Sequence, residues 1–160
     1  MTQPNPVPLT LVDLWDAAVE RHGGAPAVED ENTTLTYAEL DARAEAVAHA
    51  LVREGLKPED RVGVCLRRGV DVFSAVLGIL KAGCAYVAID PRYPAARRDT
   101  MLAHSDAVAV VTEEGCRPGT EGLTRLTVPR EKPAEGPAPS VVVRPQNAAC
   151  VLFTSGPRTR

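Results

Sequence analysis

The sequence is poor in the signals that identify many proteins at sight. Aromatic residues fill only 4% of its 160 positions, so packing has to lean on Val, Leu, Ile and Ala. No run of about 18 apolar residues occurs, which argues against a membrane-spanning helix. The opening "MTQPNPVPLT" has neither a basic patch nor an apolar stretch of signal-peptide length, and the expected location is the cytoplasm. Lys and Arg do not cluster and the formal net charge is -3. No long-range field therefore draws nucleic acid or a membrane surface, and neither is an expected partner. The four cysteines, Cys65, Cys84, Cys116 and Cys150, form no CxxC pair, and His22, His49 and His104 lie outside ligand spacing from them. No metal site is expected, and the cysteines read as thiols of a reducing compartment. None of the histidines has an evident acid or nucleophile beside it, so no catalytic residue is assigned. Neither a GxGxxG turn nor a GxxxxGK[ST] loop follows a strand, which weighs against an unrelated small nucleotide-binding protein. No internal repeat is present.

What the sequence does have is ordinary globular content, 44% apolar and 24% charged, and a length that fits one domain with a real core. Thr10 can cap a helix from Leu11 to about Arg21, with Leu11, Leu14, Trp15 and Ala18 on one face and Gly23-Gly24 at its end. "AVEDENTTLT" reads as a hairpin, Ala27 to Glu29 and Thr34 to Thr36, turned by Asp30 to Asn32. Thr36 and Glu39 form a capping box for the next helix, whose inward stripe is Tyr37, Leu40, Ala44, Val47, Ala48 and Leu51, and Gly55 supplies a left-handed stop. Strand "RVGVCL", Arg61 to Leu66, precedes a helix over "DVFSAVLGILKAG" with Phe73, Val76, Leu77 and Leu80 inward. Strand "AYVAI", a helix from Ala95 to His104, and strand "AVAVVT" from Ala107 to Thr112 follow. Alternating strands and helices argue for parallel pairing through right-handed crossovers, because each crossover needs about a dozen residues. The predicted fold class is α/β, a mostly parallel sheet with flanking helices.

From residue 113 to 147 the texture turns Pro- and Gly-rich. It reads as an excursion within the domain, with a strand around Thr124 to Val128. "AACVLF", Ala148 to Phe153, then returns to the sheet as a buried strand and delivers Thr154 to its carboxyl end, where open α/β sheets bind ligands.

Three segments, in order, carry a family resemblance: "LTYAEL" (Leu35 to Leu40), "LKAGCAYVAIDPRYP" (Leu80 to Pro94) and "VLFTSG" (Val151 to Gly156). They resemble the first three core motifs of adenylate-forming enzymes, and the second is most similar to amino-acid adenylation domains of nonribosomal peptide synthetases. The resemblance runs from about Leu11 to Gly156 and implies the fold of an N-terminal adenylation subdomain. It further implies that residues 1–160 are a single truncated domain of this type. By resemblance, the reaction is attack of an amino-acid carboxylate on the α-phosphorus of ATP, with Mg present, followed by loading of a carrier protein. Thr154, Ser155 and Gly156 match the start of the loop that wraps the phosphates. Pro157 stands where the family has a hydroxyl residue; it has no N–H to donate and stiffens the loop. Arg158 and Arg160 could attract phosphate. Ala88 stands where the family usually has Pro, and Asp90, Arg92 and Tyr93 belong to a segment that is chiefly structural in the family. The amino-acid pocket, the magnesium-binding and ribose-binding acids and the catalytic lysine of the family have no counterparts here. Losing one transition-state contact typically costs about 3 kcal/mol, so this chain alone is expected to be noncatalytic, a scaffold or interaction module among peptide-synthetase proteins. The alternative is a split piece of an active enzyme completed in trans. An exposed sheet edge is expected to pair with such a partner or by self-association.

Overall fold

The structure, a computed structural model, describes residues 9–116, 122–129 and 141–154. Helix α1 (Leu11–His22) starts at Thr10, whose hydroxyl accepts from the Asp13 N–H while the Asp13 carboxylate accepts from the Thr10 N–H. Strands β1 (Pro26–Glu29) and β2 (Thr34–Thr36) form an antiparallel hairpin. Its turn is closed by Asp30, which accepts from Asn32 and Thr33 N–H at 3.0 and 2.9 Å. Thr36 then begins α2 (Tyr37–Arg53) with the predicted reciprocal bonds to Glu39, and Gly55 sits at φ +85°, the left-handed conformation expected of it.

A second sheet contains β3 (Arg61–Cys65), β4 (Ala85–Ala88), β5 (Ala107–Thr112), β6 (Thr124–Leu126) and β7 (Cys150–Val151). Their order is β6-β5-β3-β4-β7, and all four pairings are parallel. Helix α3 (Val70–Lys81) joins β3 to β4, and α4 (Ala95–His104) carries the chain from β4 back across β3 to β5. Because the two steps run in opposite directions, crossovers of one hand must put their helices on opposite faces. The core divides accordingly. Val62, Val64 and Val111 point to a layer shared with Val47, Leu51, Ala75 and Ile79 of α2 and α3. The alternate positions Cys65, Val87 and Val110 point to Met101 and Leu102 of α4.

The α2–α3 contact depends on small residues. A Cβ on Gly78 would fall 2.5 Å from Val47 Cβ and 2.6 Å from the Ala44 carbonyl oxygen, so glycine is what lets the helices approach. This contact also corrects an expectation. Of the expected inward residues Leu80 is buried and Val76 and Leu77 are half-buried against the core, but Phe73 is 52% exposed, and the fully inward face is Val70, Ser74, Ala75, Gly78, Ile79 and Leu80. The helix is apolar almost all round, so its periodicity does not single out one stripe, and close approach selects the small one. Likewise Leu11 and Leu14 of α1 are exposed rather than packed, and α1 has no buried residue. It is tied by Trp15, which stacks on Tyr37 and packs against Leu35, Leu40 and Val70, and by polar bonds: Trp15 Nε1 donates to Asp41 at 2.7 Å, and Lys81 Nζ meets Asp16 at 3.0 Å and Asp41 at 2.9 Å. Burial alone would lower the Lys81 pKa, but the bonds from Asp41 and Asp16 more than reverse it and leave it raised.

"AACVLF" is corrected too. Only Cys150 and Val151 are in strand, at the sheet's edge, and Leu152 is 67% exposed. An edge strand has a partner on one side only: Cys150 is exposed, and Val151 is only half-buried, against the layer that contains Met101 and Leu102 of α4. Among those residues no helix is long and apolar enough to cross a membrane.

Candidate functional site

The carboxyl ends of β3, β4, β5 and β7 lie on one edge of the parallel sheet, and β3, β4 and β5 each lead into a polar segment. The chain reverses direction between β3 and β5, which makes the crevice between those two strands the switch point where ligands settle in open α/β sheets. An ion pair spans it. Glu113, just past β5, accepts from the Arg67 backbone N–H at 2.9 Å and from Arg67 Nε at 2.8 Å. Hydrogen bonding and charge from Glu113 raise the Arg67 pKa further. No local pattern announces this pair, because its members lie 46 residues apart.

Beneath it, Thr112 is the register partner of Cys65, and its hydroxyl donates to the Cys116 carbonyl. Burial pushes the Cys65 thiol up to about 12, and a hydrogen bond with Cys116 adds to the rise. Cys84, held up at about 12 chiefly by burial, is equally protonated near neutrality. Neither thiol is a nucleophile there, since the thiolate is the reactive form.

After β4 the segment 90–93 consumes its own polar groups. Arg92 donates through Nη2 and Nε to Asp90 at 2.7 and 3.0 Å, and the Arg92 N–H donates to the same carboxylate at 2.8 Å. Those bonds hold the Asp90 carboxyl well down, to about 2, with the Arg92 side-chain bond the largest cause. Arg97 lies 4.2 Å over the Tyr93 ring, and Arg98 donates to the Pro91 carbonyl at 2.8 Å. These contacts account for Asp90, Arg92 and Tyr93 as a structural turn.

Thr154 lies three residues past β7, exposed, on this same edge. Ser155 and Gly156, with Pro157, Arg158 and Arg160, lie outside the described residues. Among the described residues no group of three or more His, Cys, Asp or Glu side chains is placed to hold a metal. A cavity of about 460 Å³ opens elsewhere, between α1, α2 and the 141–143 segment, lined by Asp16, Asp41, Glu45, Lys81 and Val143. It contains none of the edge residues, so the sheet edge rather than this cavity is the candidate site.

A parallel sheet with helices on both faces and polar turns gathered at its carboxyl edge defines an α/β ligand-binding architecture. Comparison with known proteins makes the class specific. The family model described as AMP-binding enzyme matches residues 15–157, and the chain belongs to that family. Surfactin synthase subunit 2 of Bacillus subtilis is 36% identical over 96% of this chain and 4% of its own. Phosphinothricin tripeptide synthetase PhsC of Streptomyces viridochromogenes is 36% identical over 92% of this chain and 14% of its own. The nonribosomal peptide synthetase FmoA3 superposes with a TM-score of 0.85 at 33% identity, covering 94% of this chain and 17% of that one. Its AMPPNP-bound form gives 0.84 at 32% identity over 96% and 17%. The N-terminal subdomain of Klebsiella oxytoca NpsA, 20% identical with a TM-score of 0.75 over 92% of this chain and 39% of that one, shares the fold. The chain thus spans a small part of the relatives it matches, and the sheet, its order and its helices are those of the N-terminal subdomain of adenylation domains.

Proposed function

We propose that residues 1–160 are one adenylation-type unit, with residues 113–147 as an excursion within it, and that it frames a nucleotide site without completing one. In this reading Thr154, Ser155 and Gly156 open the loop that faces the phosphates of ATP, and the chain alone does not form an aminoacyl-adenylate. The observation that carries the reading is the exposed Thr154 at the carboxyl edge of an all-parallel sheet, in a family whose members include a structure with AMPPNP bound. Magnesium would arrive with the triphosphate and be held mainly by its oxygens, since the described residues offer no carboxylate cluster of their own. Its chemistry, when present, is to offset charge on the phosphates.

The unit then serves as a scaffold or interaction module among peptide-synthetase proteins in the cytoplasm. The relatives are multidomain peptide synthetases, which supports partners of that kind. The edge of β7 and the exposed Leu152 and Phe153 beside it favour a second reading, in which another polypeptide covers that edge and completes the site in trans. Self-association through the same edge is the third outcome.

Calorimetric titration of the chain with ATP and magnesium, followed by pyrophosphate exchange with each standard amino acid, tests this. No exchange by the chain alone is expected. Exchange that appears only when a peptide-synthetase partner is added selects completion in trans, and exchange by the unaided chain overturns the proposal.

A further inference from the structure

Strand β7 is held to β4 by two register pairs, Tyr86 with Cys150 and Val87 with Val151. So short a ladder specifies register weakly, and a slip of one residue would turn every side chain to the other face. Something besides the ladder has to fix where the strand begins. In the turn between α2 and β3, Glu59 adopts φ +75°, a left-handed conformation that is uncommon and strained for a long side chain. The turn is pinned from below: the Glu59 N–H donates to the Gly83 carbonyl at 2.9 Å, and the Asp60 N–H to the Lys57 carbonyl at 3.1 Å.

The Glu59 side chain reaches the segment that leads into β7. Its Oε1 accepts from Asn147 Nδ2 at 2.5 Å and from the Ala148 backbone N–H at 3.1 Å. Asn147 closes a tight turn of its own, accepting through Oδ1 from the Arg144 N–H at 2.7 Å and donating its N–H to the Arg144 carbonyl at 2.9 Å. Immediately afterwards the Ala149 carbonyl accepts from the Tyr86 N–H at 3.0 Å, where the ladder to β4 starts. One oxygen therefore fixes the chain two residues before β7, and the strained turn aims that oxygen.

We propose that Glu59 is a positioning residue that sets the register of β7 on β4. The bearing of that register on nucleotide, through the face on which Thr154 emerges, rests on the function proposed above; the register role does not.

Two variants of the 160-residue chain test it by hydrogen exchange. Glu59→Gly removes the oxygen while relieving the left-handed backbone, so folding is not put at risk by strain. Glu59→Gln keeps an accepting oxygen in place. In Glu59→Gly the amides of residues 148–152 are expected to exchange about tenfold faster, with β3 and β5 unchanged, while Glu59→Gln matches the parent. Full protection in Glu59→Gly overturns the proposal. So does equal loss across β3 and β5, or the same loss in Glu59→Gln. If residues 148–152 loosen as expected and the parent chain itself binds no ATP with magnesium, the register role stands and the nucleotide reading fails.

Discussion

Strands β3 and β7 are built from the same kinds of residue, "RVGVCL" and "AACVLF", yet they lead opposite lives. The first is central, with β5 on one side and β4 on the other, and a helical layer over each face. Val62 is 0% exposed. The second is a two-residue edge strand whose following Leu152 is 67% exposed. Burial here is set by how many neighbours a strand has rather than by what it is made of. The stable part of the molecule is consequently the α2–β3–α3–β4–α4–β5 body, and β7, which leads to Thr154, hangs on its margin by few bonds. That division suits a site that must meet a ligand or a partner, because mobile elements come from the low-stability end of a structure.

The comparison is broken most severely at the centre. Ile79→Ala, in a side chain that is fully buried between α2 and the sheet, is expected to lower stability by about 2–5 kcal/mol in urea unfolding. Gly78→Ala should cost about 1–3 kcal/mol in the same experiment. The added methyl meets the Ala44 backbone oxygen, which cannot yield as a side chain can, and the clash outweighs the gain in helix propensity. Thr36→Ala removes one cap and should cost about 1 kcal/mol. The same cap carries a pH signature. Bonds from the Thr36 backbone and then its hydroxyl hold the Glu39 carboxyl below its ordinary 4.5. A depressed folded value means that the stabilisation is complete above the unfolded value and is lost as pH falls through the folded one. Stability measured from pH 5 downward should therefore decline, and less steeply in Glu39→Gln. At the margin the contrast sharpens: Leu152→Ser should change stability by less than about 0.5 kcal/mol. If Leu152→Ser costs as much as Ile79→Ala, β7 is not the loosely held element described here.

Elements defined by their own ends were legible in the sequence. Helix α4 lies between Pro94 and Ser105, α2 between its capping box and Gly55, and β5 has the predicted bounds. The parallel sheet followed from alternation and connection length. What escaped was set by partners distant in the chain. The inward face of α3 depends on α2, the exposure of Leu11 and Leu14 on what α1 fails to meet, and the brevity of β7 on its place at the edge. Asp13 completes a capping box with Thr10 as an acid at the usual third position, a signal that was there to be read. At the candidate site, the position of Thr154 on the carboxyl edge was legible, whereas Arg67–Glu113 and Glu59–Asn147 join residues that no local pattern links.

The placement of β3 also has a consequence for how the chain is born. The central strand comes first, and both of its neighbours are made after it, β4 beginning at Ala85 and β5 ending at Thr112. At a synthesis rate of about 5–20 residues per second, Val62 and Val64 would emerge roughly 3–10 s before the last strand that shields them. For that interval an apolar segment of the polypeptide is still waiting for company, and chaperones attending the ribosome have a defined window in which to hold it.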